Sequence, residues 1–473
     1  MRQWRHDLRL RPSVTAASPP RPDQRFDAVI LGGGAAGTLV AIRLLAAGIR
    51  HVAIVEPDAL LARGAAYSTA QPEHLLNVIA SRMSAIDEDP GHFVRFLARD
   101  QPDTDADTLG TTFAPRRDYG RYLRDTLAAS PGHESLLHVR DRAVDITTGE
   151  DGDSIVYLAS GANLRATHVV LAVGNASRTL PPWLRHDGAR IADAWDYDAV
   201  HGIDRHAEVC IIGSGLSMVD AVLSLAANEH RGRIHVLSRH GLMPLPHAHA
   251  GSQHGAGIDD LLPLGVLGRW RAIRRRVADG VAAGEPWQWS FDRLRHHGTA
   301  LWRSLGDDER RRFLRHAVRY WDIHRHRIAP QVGDVLQRLQ SSGQLDVAAG
   351  RLLAIEADDT GGSRIRLRPR HAAQERTIHA DWIVNATGVE TNIDLRPGEL
   401  LHALRERGRV LPGRHGIGIA STDAGQVLDT HGRPDERLLV LGALRIGDLW
   451  ESIAIPELRA QARQVAESIL GHA

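Results

Sequence analysis

The chain has 473 residues, of which 43% are hydrophobic, and its formal net charge is +1 at pH 7. This length allows two or three domains, and the near-zero charge gives no reason to expect a nucleic acid or an anionic membrane as a partner. All 58 basic residues are arginine, which excludes a P-loop lysine and a Schiff-base lysine. The single cysteine, Cys210, excludes an intramolecular disulfide and a CxxC redox pair.

The first segment, residues 1–25, is polar and rich in proline, and it lacks the apolar core of a secretory signal. No run of about 18 apolar residues is present to span a membrane. We therefore expect a disordered leader over residues 1–25 and a cytoplasmic protein with no membrane partner. The sequence does not indicate its oligomeric state.

The first glycine-rich turn follows a short apolar strand. Gly32, Gly34 and Gly37 fit the pattern G-x-G-x-x-G, and a helix and a second strand ending at Glu56 follow. In such a turn the first glycine makes the bend, the second lets the backbone approach a pyrophosphate, and the third lets the helix pack on the strand. Glu56 stands where a carboxylate binds a ribose hydroxyl pair, which favours an unphosphorylated ribose, as in FAD or NAD. The alternative is a tight turn that binds nothing.

The second glycine-rich turn lies in VCIIGSGLSMVD, residues 209–220. Gly213 and Gly215 fit the pattern, but Met218 occupies the third glycine position. The next strand ends beside Arg239 rather than an acid, and an arginine can pair with a 2′-phosphate. This turn therefore favours NADPH, with a degenerate fold that binds nothing as the alternative.

Two such turns in one chain predict two facing α/β domains, one holding FAD and the other bringing NADH or NADPH as co-substrate. The predicted fold is α/β, with two Rossmann-like dinucleotide-binding domains and a helical insertion, that is, a two-dinucleotide-binding flavoprotein. Apolar strands that end near Gly174 and Gly388 predict the two crossings between the domains, and we expect these two glycines and Gly447 to contact a cofactor. A last strand leads to Gly447, and the N-terminus of the helix that follows is expected to face the flavin pyrimidine edge.

The predicted domain division follows from these crossings. Residues 26–185 form the first part of the FAD-binding domain, residues 186–380 form the NAD(P)H-binding domain, and residues 381–473 return to the FAD-binding domain. A helical insertion, rich in arginine and tryptophan, is expected at about 240–345. Within it, residues 321–330 either line a pocket for a planar anion or form a solvated basic helix with a buried tryptophan.

Longer motifs carry a resemblance to a known family. They are GAAY at 64–67, HLLNV at 74–78, MSA at 83–85, SGLSMVDAV, LSRHG, VNATG and GDLWESIAIPELRAQA. From residue 26 onward the chain resembles the YdhS-like FAD-NAD(P)-binding oxidoreductase family, most of whose members have no assigned reaction. One characterised branch of similar proteins contains bacterial FAD-dependent urate hydroxylases.

This resemblance implies a monooxygenase in which NADH or NADPH reduces FAD and dioxygen then forms a flavin 4a-hydroperoxide. A small nitrogen-containing substrate would attack the distal oxygen, and urate, giving 5-hydroxyisourate, is the substrate that the resemblance suggests. The alternatives are an amine or amino-acid N-hydroxylase, and an NAD(P)H-dependent flavin reductase that inserts no oxygen. A non-catalytic flavin-binding scaffold is disfavoured by the second nucleotide turn.

Three residues are candidates for substrate or flavin contacts, each with a purely structural alternative. Asn77 is placed to hydrogen-bond the flavin ring, and Arg82 or Arg445 to pair with an anionic substrate. Because the flavin carries the redox step, no catalytic triad is needed. The pattern H-x-H-x4-H that begins at His247 lies in a loop of a histidine-rich chain, and we expect no metal site there.

Overall fold

The computed structural model describes residues 24–181, 183–184, 186, 188–248, 257–358 and 361–471. Apart from residues 24 and 25, the predicted leader lies outside the described residues. The strands are β1 (Arg25–Leu31), β2 (Val52–Val55), β3 (Leu137–Val139), β4 (Ala143–Thr148), β5 (Ser154–Leu158), β6 (Asn163–Leu171), β7 (Ile191–Asp193), β8 (Val209–Ile212), β9 (Ile234–Ser238), β10 (Leu345–Ala357), β11 (Ser363–Pro369), β12 (Arg376–Ala380), β13 (Trp382–Asn385), β14 (Gln426–Leu428) and β15 (Pro434–Val440).

The α-helices alternate with these strands. They are α1 (Ala35–Ala46), α2 (Gly64–Tyr67), α3 (His92–Ala98), α4 (Ala106–Thr111), α5 (Arg116–Ala128), α6 (Tyr197–His201), α7 (Leu216–Ala227), α8 (Val266–Ala282), α9 (Trp287–Leu294), α10 (Gly298–Arg303), α11 (Asp307–His316), α12 (Val318–Arg325), α13 (Pro330–Ser341), α14 (Glu399–Glu406), α15 (Ile446–Leu449) and α16 (Ile455–Leu470). None of the described helices combines the length and apolar composition needed to cross a membrane.

The first sheet has the strand order β14-β15-β6-β1-β2-β3, and the hairpin β4–β5 joins it through β6. β1 runs parallel to both β2 and β6. Alternate residues of β1 face opposite cores: Ile30 packs with α1 and α16 on one side, and Leu31 packs with α14 on the other. Burial on both faces explains why β1 reads as an uninterrupted apolar run.

The second sheet has the strand order β12-β11-β10-β9-β8-β13-β7. Its central strands β10, β9, β8, β13 and β7 are parallel, and β11 and β12 extend it as an antiparallel ribbon. Cys210 lies on β8, fully buried, and its burial raises the pKa of the thiol to about 12. Two α/β sheets, each with a glycine-rich turn after its central strand, confirm the predicted fold class.

The chain leaves the second sheet later than the sequence predicts. The FAD-binding return was expected from residue 381, which would place β13 in the first sheet. Instead, β13 pairs with β7 and β8, so the return begins after Asn385. The reason is that each sheet contains its own strand that leads into a small residue and a glycine. In the first sheet this strand is β6, which lies beside β1, and in the second sheet it is β13, which lies beside β8.

The helical insertion lies between β9 and β10 and contains α8 to α13. It has its own apolar core, in which Phe291 and Trp321 are 5% and 6% exposed. Arg325 and Arg327, which the sequence offered as part of a solvated basic helix, are only 8% and 3% exposed. Residues 321–330 are therefore an internal segment, and its charges require partners inside the protein.

Candidate functional site

The first glycine-rich turn joins β1 to α1 and has the geometry of a phosphate-binding turn. Gly32 has a φ of +107°, and a Cβ there would lie 2.3 Å from the carbonyl oxygen of Ala172, at the end of β6. A Cβ on Gly37 would lie 2.0 Å from the oxygen of Gly32. Gly34 is the N-cap of α1, and no side chain caps this helix end or places an acid in its first turn. The amides at this helix end therefore remain available to an anion such as a pyrophosphate.

Glu56 stands beside this turn at the end of β2. Its Oε2 accepts a hydrogen bond of 2.8 Å from the amide of Gly33, and its Oε1 accepts one of 3.0 Å from the amide of Asp58. The carboxylate is thus held at the carboxyl edge of the sheet, where nucleotides bind in this class of fold. Turn, open helix end and acid together fit the pyrophosphate and ribose of FAD.

Two further glycines border the first turn and were not identified as cofactor contacts from the sequence. A Cβ on Gly34 would lie 3.6 Å from the Cα of Gly64, which has a φ of +52°. A Cβ on Gly442 would lie 3.8 Å from the Cβ of Ala36 in α1. Gly64 belongs to the GAAY motif, but nothing in the sequence spacing indicates that its backbone packs against Gly34. Both are close-approach positions at which a side chain would narrow the nucleotide turn.

The other candidate cofactor glycines differ among themselves. Gly174 and Gly388 have φ values of +62° and +98°, and a Cβ on either would meet nothing within 4 Å among the described residues. Both thus border open space after the crossing strands β6 and β13. Gly447 instead packs tightly, because a Cβ there would lie 2.2 Å from the oxygen of Ile417. Its role in the structure is a close contact between loops.

The second glycine-rich turn repeats the geometry of the first. Gly213 has a φ of +113°, and a Cβ there would lie 2.0 Å from the carbonyl oxygen of Ala386, after β13. Gly215 is the N-cap of α7, again with no side-chain cap and no acid in the first turn. A Cβ on Gly215 would lie 3.7 Å from Nη2 of Arg319, which comes from α12 in the helical insertion. The guanidinium group of Arg319 therefore lies at this turn, and the sequence spacing does not predict its position.

A basic corner lies just beyond the end of β9. Arg239 is exposed, and Arg370 Nη1 donates a 2.9 Å hydrogen bond to Nδ1 of His240. Burial lowers the pKa of His240, and the charges of Arg370, Arg239 and Arg319 lower it further, so the imidazole lies in the field of three guanidinium groups. Among the described residues no carboxylate lies within 4.0 Å of Arg239 or Arg370. Arg239 is thus part of a larger cationic site than the sequence predicted.

A buried polar contact ties the two nucleotide-binding parts together. Arg116 Nη1 donates a 2.7 Å hydrogen bond to Oδ2 of Asp220 in α7, and the two side chains are 12% and 6% exposed. His74 Nε2 donates to the carbonyl oxygen of Asp220 at 3.1 Å, and its Nδ1 accepts from Thr69 Oγ1 at 2.8 Å. Burial lowers the pKa of His74, which agrees with this neutral tautomer. The HLLNV motif therefore positions helix α7.

A cluster of charged side chains, most of them buried or half-buried, lies where three parts of the chain meet: the loop 74–84, the insertion, and the segment from the end of α15 to the first turn of α16. We call it the charged junction; its members are Arg82, Asp292, Arg295, Arg325, Arg327, Glu451 and Glu457. Arg325 Nη2 pairs with Glu451 Oε2 at 2.5 Å, and Arg295 Nη2 lies 3.7 Å from Glu457 Oε1. Burial raises the pKa of Glu451. Arg327 pairs directly with Asp292.

The backbone that carries Glu451 is constrained. Trp450 has a φ of +63°, which a bulky residue rarely adopts and which costs about 1–3 kcal/mol. Its ring stacks on that of Trp302, with centroids 4.7 Å apart. Trp302 Nε1 in turn donates to the oxygen of Gly447 at 2.8 Å. The insertion thus holds the loop before α16 in a strained conformation, as is common in functional sites.

The three substrate candidates do not lie together. Burial lowers the pKa of Arg295 and of Arg327, and the charge of the exposed Arg82 lowers both further, which places Arg82 at the charged junction. Arg445 is 1% exposed and clamps the loop 421–423, donating from Nη2 to the oxygen of Thr422 at 2.7 Å. Burial lowers its pKa to about 10. Arg445 therefore makes protein contacts through Nε and Nη2, whereas Arg82 is exposed and has no carboxylate within 4.0 Å among the described residues.

Asn77 and His247 form a separate contact. His247 Nε2 donates a 3.0 Å hydrogen bond to the carbonyl oxygen of Asn77, and burial lowers the pKa of His247 to about 4. The other two histidines of the H-x-H-x4-H pattern, His249 and His254, lie outside the described residues. Within the described ranges no three potential ligands group around a metal position.

Comparison with protein families identifies the nucleotide-binding region. Residues 29–176 match the family model described as FAD-NAD(P)-binding. This range begins in β1, includes the first glycine-rich turn and Glu56, and ends after the crossing strand β6. A comparison with curated proteins finds no match.

Solved structures share the architecture over nearly the whole chain. An ornithine N-hydroxylase from Kutzneria sp. 744, solved with reduced FAD, NADP+ and L-ornithine, superposes with a TM-score of 0.63 at 15% identity, covering 95% of this chain and 100% of that one. A cadaverine monooxygenase from Erwinia amylovora, bound to FAD, gives 0.64 at 12% identity, covering 95% of both chains. A bacillithiol disulfide reductase from Staphylococcus aureus gives 0.57 at 14% identity, covering 95% and 100%.

Because these sequence identities are low, the structural likeness establishes the fold alone. It is the fold of two-dinucleotide-binding flavoproteins, as the sequence predicted. The chain contains an FAD-NAD(P)-binding domain, and FAD with NAD(P)H as co-substrate is its cofactor set.

Proposed function

We propose that this protein is an FAD-dependent monooxygenase that uses NADPH and dioxygen to hydroxylate the nitrogen of a small amine. The observation that carries the proposal is the pair of nucleotide turns, each with its first glycine pressed against the crossing strand of its own sheet and an uncapped helix start behind it. A resident flavin and a visiting nicotinamide nucleotide need two such sites. The likeness to an ornithine N-hydroxylase and a cadaverine monooxygenase supports an amine as the substrate.

The cysteine content separates this proposal from a disulfide reductase. A bacillithiol disulfide reductase shares the fold, but thiol–disulfide exchange begins with the attack of an accessible cysteine thiolate on a disulfide sulfur. This chain has only Cys210, which is fully buried and whose pKa is raised to about 12. Such a thiol is not nucleophilic at neutral pH.

The chain's own residues bind and orient. When bound, FAD supplies hydride acceptance and activation of dioxygen. The turn at Gly32 and the open end of α1 hold its pyrophosphate, and Glu56 holds a ribose. Packing between the insertion and the loop at Trp450 fixes the position of Glu451, the next residue, at the charged junction.

NADPH is proposed over NADH because of the basic corner. Arg239, Arg370 and His240 stand at the end of β9, where the ribose of a nucleotide in the second turn would lie. A 2′-phosphate would take charge-assisted hydrogen bonds from guanidinium groups that have no carboxylate partner among the described residues. Arg319 at Gly215 would meet the pyrophosphate.

Urate is a second candidate substrate, with carbon 5 as the position that is hydroxylated. Urate is a planar anion at neutral pH, and the guanidinium groups of the charged junction can donate hydrogen bonds to such an anion. The resemblance of the sequence motifs to YdhS-like proteins and the urate hydroxylase branch also favours it. Urate and amines are therefore tested side by side.

The test is a substrate panel on the purified, FAD-loaded protein under air. NADPH oxidation, oxygen consumption and product mass are measured with L-ornithine, L-lysine, cadaverine and urate, each against a control without substrate. A monooxygenase consumes NADPH and oxygen in equal amounts, with a product about 16 mass units heavier for an amine, the mass of one inserted oxygen atom. If every substrate leaves the rate of NADPH oxidation unchanged and only hydrogen peroxide forms, the flavin reductase without oxygen insertion replaces this proposal.

A further inference from the structure

The charged junction contains buried polar atoms of both kinds without a hydrogen-bond partner among the described residues, and Oε1 of Glu451 and Oε2 of Glu457 are the acceptors among them. Four buried nitrogen atoms have no hydrogen-bond partner among the described residues: Nη2 of Arg295, Nε of Arg325, and Nε and Nη1 of Arg327. The side chains that carry them are 10%, 9% and 3% exposed. A buried donor without a partner loses its hydration and gains nothing in exchange, so a folded protein rarely tolerates several in one place.

The charges of the junction are also unbalanced. Three of its arginines pair with Asp292, Glu451 and Glu457, and the fourth guanidinium, that of Arg82, has no carboxylate within 4.0 Å among the described residues. The junction therefore has an excess of positive charge next to unpaired donors.

The junction lies beside the flavin-binding turn. Arg459 Nη1, in the first turns of α16, donates a 2.6 Å hydrogen bond to the oxygen of Ser84, two residues after Arg82. Gln461 lies one turn after Glu457 in α16. Its side chain donates a hydrogen bond to the oxygen of Ser452 and accepts one from the amide of Gly442. Gly442 is the glycine that borders α1. A molecule bound at the junction is thus close to the part of the fold that holds FAD.

We infer that the charged junction binds the anionic group of the substrate, with Arg82 as its exposed anchor and the unpaired donors of Arg295, Arg325 and Arg327 behind it. That the bound anion belongs to a substrate rests on the proposed function; that an anion binds at the charged junction does not. A carboxylate and an ionised urate share the relevant chemistry, a planar delocalised anion that accepts hydrogen bonds from guanidinium groups. A substrate with amines only would place a further cation among four arginines.

Binding is measured without turnover, on the oxidised FAD-loaded protein, by isothermal titration and by the flavin absorbance change. The probes form two pairs that differ in the anion: L-lysine against cadaverine, and urate against hypoxanthine. We expect one anionic member to bind at least tenfold more tightly than its counterpart. The pair that responds identifies the source of the anion, an amino acid or a purine.

The variant is Arg82→Gln, chosen because Arg82 is exposed and its loss should not prevent folding. We expect it to weaken binding of the anionic probe at least tenfold and to leave binding of NADPH unchanged. The matched control is Arg233→Gln, an exposed arginine just before β9, at the end of the second sheet opposite to the nucleotide turn. The control variant should bind the probe as the parent protein does.

Three results overturn the inference: no anionic probe binds, the uncharged or cationic member of a pair binds equally well, or Arg82→Gln binds the anion like the parent. Failure of the proposed function looks different. A protein that binds an anion through Arg82 but forms no hydroxylated product keeps the site and loses the reaction. A protein that hydroxylates cadaverine without dependence on Arg82 keeps the reaction and loses the anion site.

Discussion

Replacing Gly213 by alanine should weaken NADPH binding, and with it reduction of the flavin by NADPH, at least tenfold while leaving FAD in place. The φ of Gly213 is +113°, and a Cβ would lie 2.0 Å from the oxygen of Ala386. Contacts of a real Cβ below 3.0 Å are essentially not observed, so turn and strand must separate by roughly 1 Å. The turn can move only away from β13, into the space where the pyrophosphate would lie.

The magnitude has two parts, and a control separates them. A positive φ costs a non-glycine residue about 1–2 kcal/mol, and forcing atoms into a packed contact costs a further 1–3 kcal/mol or so. Gly161 has a φ of +88°, but a Cβ there would meet nothing within 4 Å among the described residues, so Gly161→Ala bears only the first cost. We therefore expect Gly213→Ala to lose at least tenfold in NADPH affinity, and Gly161→Ala to lose none.

The assay is anaerobic stopped-flow reduction of the bound flavin by NADPH, with FAD content measured from the visible spectrum. Reduction by dithionite checks that the flavin of each variant remains functional. Gly32→Ala is the reciprocal variant, because its Cβ would lie 2.3 Å from the oxygen of Ala172, and it should lose FAD itself. If Gly213→Ala is reduced at the parent rate, or if it loses FAD while Gly32→Ala retains it, the assignment of the two turns is refuted.

Three further predictions concern the basic corner, the link between the domains and pH. Arg370→Gln should raise the Kd for NADPH about tenfold and leave the Kd for NADH unchanged, as measured by isothermal titration. The reason is that an exposed charge-assisted hydrogen bond contributes about 1.4 kcal/mol. An equal rise of the Kd for NADPH in Arg233→Gln would contradict this prediction. Asp220→Asn leaves the buried Arg116 without its counter-charge, so urea unfolding should show a loss of about 3–5 kcal/mol, and an unchanged midpoint would show that the pair is not stabilising. His247 has a pKa of about 4 in the folded protein and 6.5 when unperturbed, so the unfolded chain binds more protons between these values. The free energy of unfolding should therefore fall as the pH drops from 6.5 to 4, and His247→Gln should reduce this slope in urea titrations at several pH values.

The strand–turn–helix units were predictable because their signals are local. In both units an apolar run, a glycine pair and a helical pattern follow one another within about 30 residues, and β1–α1–β2 and β8–α7–β9 form accordingly. The place of β13 was not predictable in this way. Its sequence resembles that of β6, and only pairing with β8, at a distance of more than about 170 residues, decides which sheet it joins.

The candidate site shows the same division. Glu56 and the turn glycines were found from spacing, since all of them lie within one βαβ unit. Arg319 and Arg370 were missed because they reach the second nucleotide turn from the insertion and from the β11–β12 ribbon. In a chain whose basic residues are all arginine, no single arginine stands out, and only the absence of carboxylate partners among the described residues distinguishes the basic corner from ordinary surface pairs.

The missing third glycine of the second turn does not close the nucleotide site. Met218 occupies the position that corresponds to Gly37, and its side chain is fully buried in the core between α7 and the second sheet. The departure from the pattern is therefore absorbed on the core side of the helix, away from the open helix end. Gly213 keeps the positive φ of the first turn, and Gly215 keeps its uncapped helix start. A core that has room for methionine under α7, together with a turn that remains open, argues against a degenerate fold and for a working second site.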